Sequence, residues 1–201
     1  ITLVPTMAEQ AAHVTMLQRS PTYLMPLPST DKVTLAMQKV LPAKVAYKLT
    51  RARNISISRL LYQRSRKSPE VMRRLFLGII RRQLDGKADM RHFTPDYNPW
   101  DQRLCVVKDG DLFDALKAGK ATIATDHIEC FTETGIRLKS GEELEADIIV
   151  PATGLDIQML GGITPRIDGS EVVLKDTIMY KNVMVEGVPN AGMIFGYTNI
   201  S

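Results

Sequence analysis

Three short stretches hold the residues whose types and spacing could do chemistry. Arg19-Ser20 follows His13–Gln18, which reads as a short strand. A guanidinium and a hydroxyl at a strand end suit a phosphate, because the planar fork donates paired hydrogen bonds and the hydroxyl adds another. Arg103, in Asp101-Gln102-Arg103, stands at the entrance to the strand Leu104–Val107. A Pro-Trp segment before it can hold its stem, so the charge would be presented to a cleft. The third stretch, Asp147–Gly154, reads as a buried strand through Ile148, Ile149 and Val150, closed by Ala152-Thr153-Gly154. Its bare end leaves room for a ligand or another backbone, although an ordinary core strand with a tight turn has the same pattern.

The elements that must position these residues are legible in turn. Leu3, Val4, Met7, Ala8, Ala11 and Ala12 space as one helix face, with Pro5 tolerable in the first turn. Helix and following strand look like the second half of a βαβ unit whose first strand and glycine turn would precede Ile1. In such units the end of the second strand faces the adenosine ribose. An acid there takes a free 2′-hydroxyl and an arginine takes a 2′-phosphate, so Arg19-Ser20 favours NADPH over NADH. The alternative is a solvated arginine before a proline-rich loop.

That loop, Ser20–Ser29, holds Pro21, Pro26 and Pro28 and is expected to lack regular structure. Asp31 is a candidate N-cap for a helical run interrupted at Pro42, which continues past Leu60 and Leu61. Ser68-Pro69-Glu70 opens another helix, with Val71, Met72, Leu75, Phe76, Ile79 and Ile80 on one broad face, ended by Asp85-Gly86. Met90–Trp100 is an irregular aromatic loop. Asp111 is expected to cap a short helix closed by Gly119. Strands over 121–124, 128–131 and 136–139 read as an antiparallel meander feeding into Asp147.

Composition bounds the classes. With 201 residues, 44% hydrophobic and 24% charged, the chain is globular rather than disordered. It has no apolar run of about 18 residues to span a bilayer. Cys105 and Cys130 have no CxxC spacing, and His13, His92 and His127 are scattered, so no metal site is expected. The cysteines read as packed thiols of a reducing, cytoplasmic compartment.

Charge divides the chain. Residues 32–91 carry 16 Lys and Arg against three acids, a segment charge of +13, and the remainder carries −9. This basic helical block could lie on an anionic membrane, have its cationic face simply solvated, or pack its apolar side on a neighbouring domain. Nucleic acid is not expected as a partner, because aromatic interleaving and a groove-reading helix are missing.

Taken together, HVTMLQRSPTY, HFTPDYNPWDQRLCV, FTETGIRLKSGEELEADIIVPATG and GVPNAGMIFGYTNIS, in this order and spacing, resemble the flavin-dependent monooxygenases. The similarity is nearest to Baeyer–Villiger monooxygenases of the ethionamide-activating type. The resemblance implies an α/β, two-dinucleotide-binding-domain flavoprotein fold, present in part, with a helical insertion and an antiparallel β-meander. It implies FAD and NADPH as cofactors. The reaction would insert one oxygen atom from O2 into a ketone, or oxidise a sulfur compound, through a C4a-peroxyflavin.

On this resemblance Arg19 and Ser20 hold the 2′-phosphate, and Arg103 is the catalytic arginine. Gln102 takes a place that is often basic. Ala152, Thr153 and Gly154 mark the crossing to the FAD domain, and Gly196, Tyr197, Thr198 and Asn199 approach the flavin. The expected division is 1–31 and 87–150 for the NADPH domain, 32–86 for the basic insertion, and 151–201 for the return to the FAD domain.

The chain contains no GxGxxG and no FxGxxxHxxxW. Both phosphate-binding turns are therefore expected in a missing N-terminal portion of the same polypeptide, and the 201 residues alone are expected to be inactive. A competing reading is a basic membrane-surface or nucleic-acid module without redox activity.

Overall fold

The computed structural model describes residues 1–102, 104–154, 159–174, 177–181 and 183–193. It divides into two compact units, 1–149 and 150–201. The architecture is mixed α/β, with five helices and several short sheets among the described residues.

In the first unit, α1 (Leu3–Ala8) runs into β1 (Val14–Gln18), and Pro5 falls in the first helical turn, where its missing N–H removes no helical bond. Strand β1 pairs in parallel with β4 (Ala121–Thr125), in register from Val14↔Ala121 to Gln18↔Thr125. β4 is therefore not part of the antiparallel meander expected from sequence. Its position is decided instead by a partner more than 100 residues away, which local patterning does not reveal. Helix α5 (Asp111–Lys117) sits against this pair, and its Leu112, Phe113 and Leu116 share a core with Val4, Val14 and Ala121. Asp111 is the first helical residue and not the cap; Gly110, at φ 83°, is the cap, a left-handed conformation that suits glycine.

The Ser20–Ser29 stretch is not wholly irregular, for Leu24–Leu27 forms β2, parallel to β3 (Cys105–Lys108), with Pro26 opposite Val107. The bonds to β3 come from the odd positions: Tyr23 O accepts from Cys105 N at 2.8 Å and Leu27 O from Asp109 N at 2.9 Å. Pro26 turns its nitrogen to the other edge, where no ladder bond is lost.

The helical block consists of α2 (Lys32–Val40), α3 (Ala43–Lys67) and α4 (Pro69–Leu84). Asp31 caps α2, accepting from Val33 N at 3.1 Å and Thr34 N at 3.2 Å, and pairs with Arg53 of α3. Thr34 and Arg53 together hold its carboxyl at about 2, below the usual carboxylate range. Pro69 opens α4 at its first turn, but Ser68 makes no side-chain cap. The apolar face of α4 is narrower than expected. Met72, Phe76, Ile80 and Leu84, each four apart, are buried, while Val71 and Leu75 are exposed.

The meander is β5 (Ile128–Phe131), β6 (Gly135–Leu138) and β7 (Glu143–Glu145). Its close approach is at Gly135, where a Cβ would stand 2.0 Å from Leu144 O. Asp147–Val150 is not the expected buried strand. No strand pairing is assigned to it, and Ile148 is 78% exposed. An apolar run has strand character, but a strand exists only where a neighbouring backbone satisfies its ladder.

In the second unit the described residues form two hairpins, β8 (Arg166–Ile167) with β9 (Ser170–Glu171), and β10 (Met179–Tyr180) with β11 (Met184–Val185). The first turns on Asp168-Gly169, both at positive φ, the pattern that matches strand twist in a two-residue turn.

Candidate functional site

The carboxyl ends of parallel strands are where an open α/β sheet meets a ligand. Here β1 and β4 end together at Gln18 and Thr125, and Arg19 and Ser20 follow, both exposed. The strand ends are locked from beneath. Gln18 Nε2 donates to Thr125 Oγ1 at 2.8 Å and to His92 O at 2.7 Å, and Asp126 N donates to Gln18 O at 3.0 Å. His92 comes from a 3-10 turn (Met90–Phe93) anchored by buried Phe93.

The His92 ring completes the lock. Arg91 Nε donates to Nε2 at 3.2 Å, so Nε2 is the acceptor; Nδ1 then carries the proton and donates to Thr125 Oγ1 at 2.7 Å. Burial pushes the imidazole below its ordinary 6.5, and the Arg91 charge adds to this, against smaller opposing effects of Asp89 and Glu142. Beside it, Asp126 accepts from His127 N at 2.6 Å and Ser140 N at 3.0 Å, so both carboxylate oxygens are engaged and the group is held below the usual carboxylate range.

This arrangement makes acid sensitivity local. A base whose folded pKa is lowered gives stability that is complete above its unfolded value and is lost as pH falls through the folded one. Thermal melting of the protein should therefore decline as pH drops below 6.5, and His92→Gln should flatten that decline. Melting curves across this range check it; an unchanged slope in the variant would remove His92 from the lock.

The other expected site residues are distributed as follows. Gln102 is exposed and bridges to Pro99; the preceding Asp101 accepts from Arg66 of α3 at 2.6 Å. Ala152, Thr153 and Gly154 are exposed at the start of the second unit. Gly154 has φ 109°, and a Cβ there would meet nothing within 4 Å, so backbone conformation and not close approach calls for glycine within this chain. Arg103 and Gly196, Tyr197, Thr198 and Asn199 lie outside the described residues. The structure thus brings Gln18, the residue before Arg19 and Ser20, together with His92 and Thr125. Local sequence does not reveal that grouping, because the separations are 74 and 107 positions.

The stretch leading to residue 103 is held by a second cluster. Tyr23 is fully buried, with its ring edge-on to Phe76 at 6.1 Å and to Tyr97 at 5.5 Å. Its hydroxyl donates to Tyr97 O at 2.8 Å, and Arg73 Nη1 donates to both oxygens at 3.3 and 3.2 Å. Leu104 packs on the same cluster. Among the described residues no group of His, Cys, Asp and Glu is placed to hold a metal ion, and no helix is long and apolar enough to cross a membrane.

Comparison with known proteins gives a consistent set of relatives. The chain is 59% identical over 202 residues to "Probable FAD-binding monooxygenase AlmA" of Acinetobacter baylyi, covering 100% of the chain and 41% of that protein. It is 53% identical over 205 residues to "Putative FAD-containing monooxygenase MymA" of Mycobacterium tuberculosis, covering 100% of the chain and 41% of that relative. It is 50% identical over 203 residues to "FAD-containing monooxygenase EthA" of the same species, covering 100% and 42%. The chain therefore spans about two fifths of the length of the curated relatives it matches. No family model and no solved structure matches it.

Proposed function

We propose that this chain, homologous along its whole length to FAD-containing monooxygenases, is the part of an FAD- and NADPH-dependent monooxygenase that grips NADPH and supplies the active-site arginine. The reading covers substrates that are ketones, oxygenated in the Baeyer–Villiger manner, or sulfur compounds, with O2 as co-substrate. On it, 1–31 and 87–150 belong to the NADPH domain, 32–86 are an insertion, and 151–201 return to the FAD domain, making two dinucleotide-binding domains in the complete protein.

The observation that carries the reading is the exposed Arg19-Ser20 pair at the carboxyl end of β1, beside the end of parallel β4. Its donor set fits a phosphomonoester: a guanidinium and a hydroxyl, on a strand end fixed by Gln18 and Thr125. The neighbouring carboxylate of Asp126 accepts one backbone N–H on each oxygen, from His127 and Ser140. Arg103 would hold the nicotinamide end and keep a fixed positive charge at the reacting centre. Gln102 beside it can offer the cofactor an amide but no charge. Ala152, Thr153 and Gly154 would leave the chain free of bulk where it passes to the FAD domain, and Gly196, Tyr197, Thr198 and Asn199 would line the flavin. The bound flavin, reduced by NADPH, supplies the activation of dioxygen.

The test is the nucleotide preference of the complete flavoprotein. Arg19→Ala should weaken reduction by NADPH about tenfold or more at limiting nucleotide, the scale of a lost charge-assisted bond, while leaving NADH unchanged. An unaltered ratio between the two nucleotides would take Arg19 out of the phosphate grip.

A further inference from the structure

Asn98-Pro99-Trp100-Asp101, which ends two residues before Arg103, is a turn closed by Asp101 N donating to Asn98 O at 3.0 Å. Pro99 stands at its second position, where a fixed φ favours the type II form. The third position of that form requires a positive φ and is usually glycine. Trp100 occupies it, at φ 73°. Elsewhere in the first unit, among the described residues, positive φ outside glycine falls on Asp85 and Asp109, a residue type that tolerates it. A bulky side chain does not, and such a conformation persists only where its surroundings enforce it.

Those surroundings are the last turns of α3. Trp100 Nε1 donates to Ser65 Oγ at 3.1 Å, and Ser65 is 1% exposed. The indole ring packs edge-on against Tyr62 at 5.7 Å. The next residue of the turn, Asp101, accepts from Arg66 Nη1 at 2.6 Å. Tyr62, Ser65 and Arg66 are spaced i, i+3 and i+4, so one face of the helix holds both residues. That helix is itself fixed. Leu61 packs on the cluster of Tyr23, Met72 and Phe76, and Arg53 pairs with Asp31, the cap of α2. Glycine would make the turn at lower cost, so what tryptophan adds is the attachment to α3.

We propose that the carboxyl end of α3 is a clamp that positions Arg103. Tyr62 and Ser65 hold Trp100 in its left-handed conformation, Arg66 holds Asp101, and the turn so fixed sets the path by which the chain enters residue 103. The inference rests on the reading of Arg103 as the active-site arginine and deepens it, giving the helical insertion a part in the chemistry. Tyr62, Ser65, Arg66 and Trp100 are positioning residues, acting through the backbone of residues 98–102. The exposed Arg66–Asp101 pair is the weaker part of the clamp, because solvent screens it. The indole bond to a buried hydroxyl and the ring contact carry most of the hold.

The experiment measures product turnover and flavin content of the complete flavoprotein, assayed well below the melting temperature of each variant. Trp100→Gly keeps a turn that favours positive φ and removes its attachment to α3. Turnover at saturating NADPH should fall about tenfold to a hundredfold, the scale of a misplaced reacting group, with flavin content unchanged. Ser65→Ala and Trp100→Phe each lose only the indole bond, and each should lose about fivefold. The decisive comparison repeats these substitutions in Arg103→Ala, at enzyme concentrations that make its residual turnover measurable. There they should cost nothing further, because residues that act through Arg103 have no effect once it is gone.

Undiminished turnover in Trp100→Gly and Ser65→Ala, beside a large loss in Arg103→Ala, overturns the clamp and leaves the reading of Arg103 standing. The same fold loss with and without Arg103 also overturns it, since a purely structural role gives that result. Full turnover in Arg103→Ala overturns the reading of Arg103 and the clamp together. Should Trp100→Gly fail to fold, Ser65→Ala and Trp100→Phe carry the same comparison.

Discussion

In the complete flavoprotein, Arg103→Ala should retain bound flavin and lose oxygenated product by about a hundredfold to a thousandfold, the usual effect of deleting a fixed electrostatic group at a reacting centre. The approach to this position is held on both sides. Upstream, Asp101 is bound to Arg66 of α3 at 2.6 Å, and buried Pro99 bridges to Gln102. Downstream, Leu104 packs on the Tyr23 cluster and Cys105 N donates to Tyr23 O at 2.8 Å. An arginine between two anchored neighbours loses less freedom when it takes up its working position than one on a free loop. Flavin content and product yield, measured on the same preparation, separate the proposed role from a folding defect. Product at a near wild-type rate would end the assignment, whereas Arg103→Lys, which keeps the charge without the planar fork, should fall between the two.

The second large effect is expected at Tyr23. Tyr23→Ala should cost about 3–5 kcal/mol in denaturant unfolding, the range for deleting a buried aromatic ring. The ring is fully buried and touches two other aromatics, so its removal leaves a hole lined by Phe76 and Tyr97 that neither can fill without leaving α4 or the aromatic loop. Tyr23→Phe keeps the volume and loses only the hydroxyl. Tyr97 O still accepts from Arg73 at 3.2 Å, so the cost should be about 1 kcal/mol. The two variants also separate packing from function. If the cluster positions residues 101–104, Tyr23→Ala should lower product formation even under conditions where it is folded, and Tyr23→Phe should not. Equal stability of Tyr23→Ala and wild type would show that the loop and α4 are held by something else.

These two positions differ in how they can be found. Arg103 stands out in a linear reading because a cation, a proline-tryptophan segment and a strand are adjacent. Tyr23 does not, being one aromatic residue in a stretch with three prolines. Its importance comes from Phe76, Arg73 and Tyr97, which are 50 or more positions away. The same holds for His92. A lone histidine in an aromatic loop gives no sign that its ring accepts from Arg91 and donates to Thr125, or that Gln18 binds the same hydroxyl.

Sequence alone determined what depends on neighbours within about one helical turn. The Asp31 cap, the break at Pro42, the start of α4 at Pro69 and its end at Asp85 all follow from backbone chemistry over a few residues. So do the strand before Arg19 and the Arg19-Ser20 pair itself.

Tertiary structure decided whatever needs a partner distant in the chain. It placed β4 beside β1, made Pro26 part of a strand by turning its nitrogen away from β3, and selected Met72, Phe76, Ile80 and Leu84 from a broader apolar face. It also left Ile148–Val150 exposed, although their composition is that of a buried strand. The physical reason is the same in each case. Apolar character and spacing set which conformations a segment can adopt at low cost. A ladder, a buried face or a shared hydroxyl exists only once another part of the chain arrives to complete it.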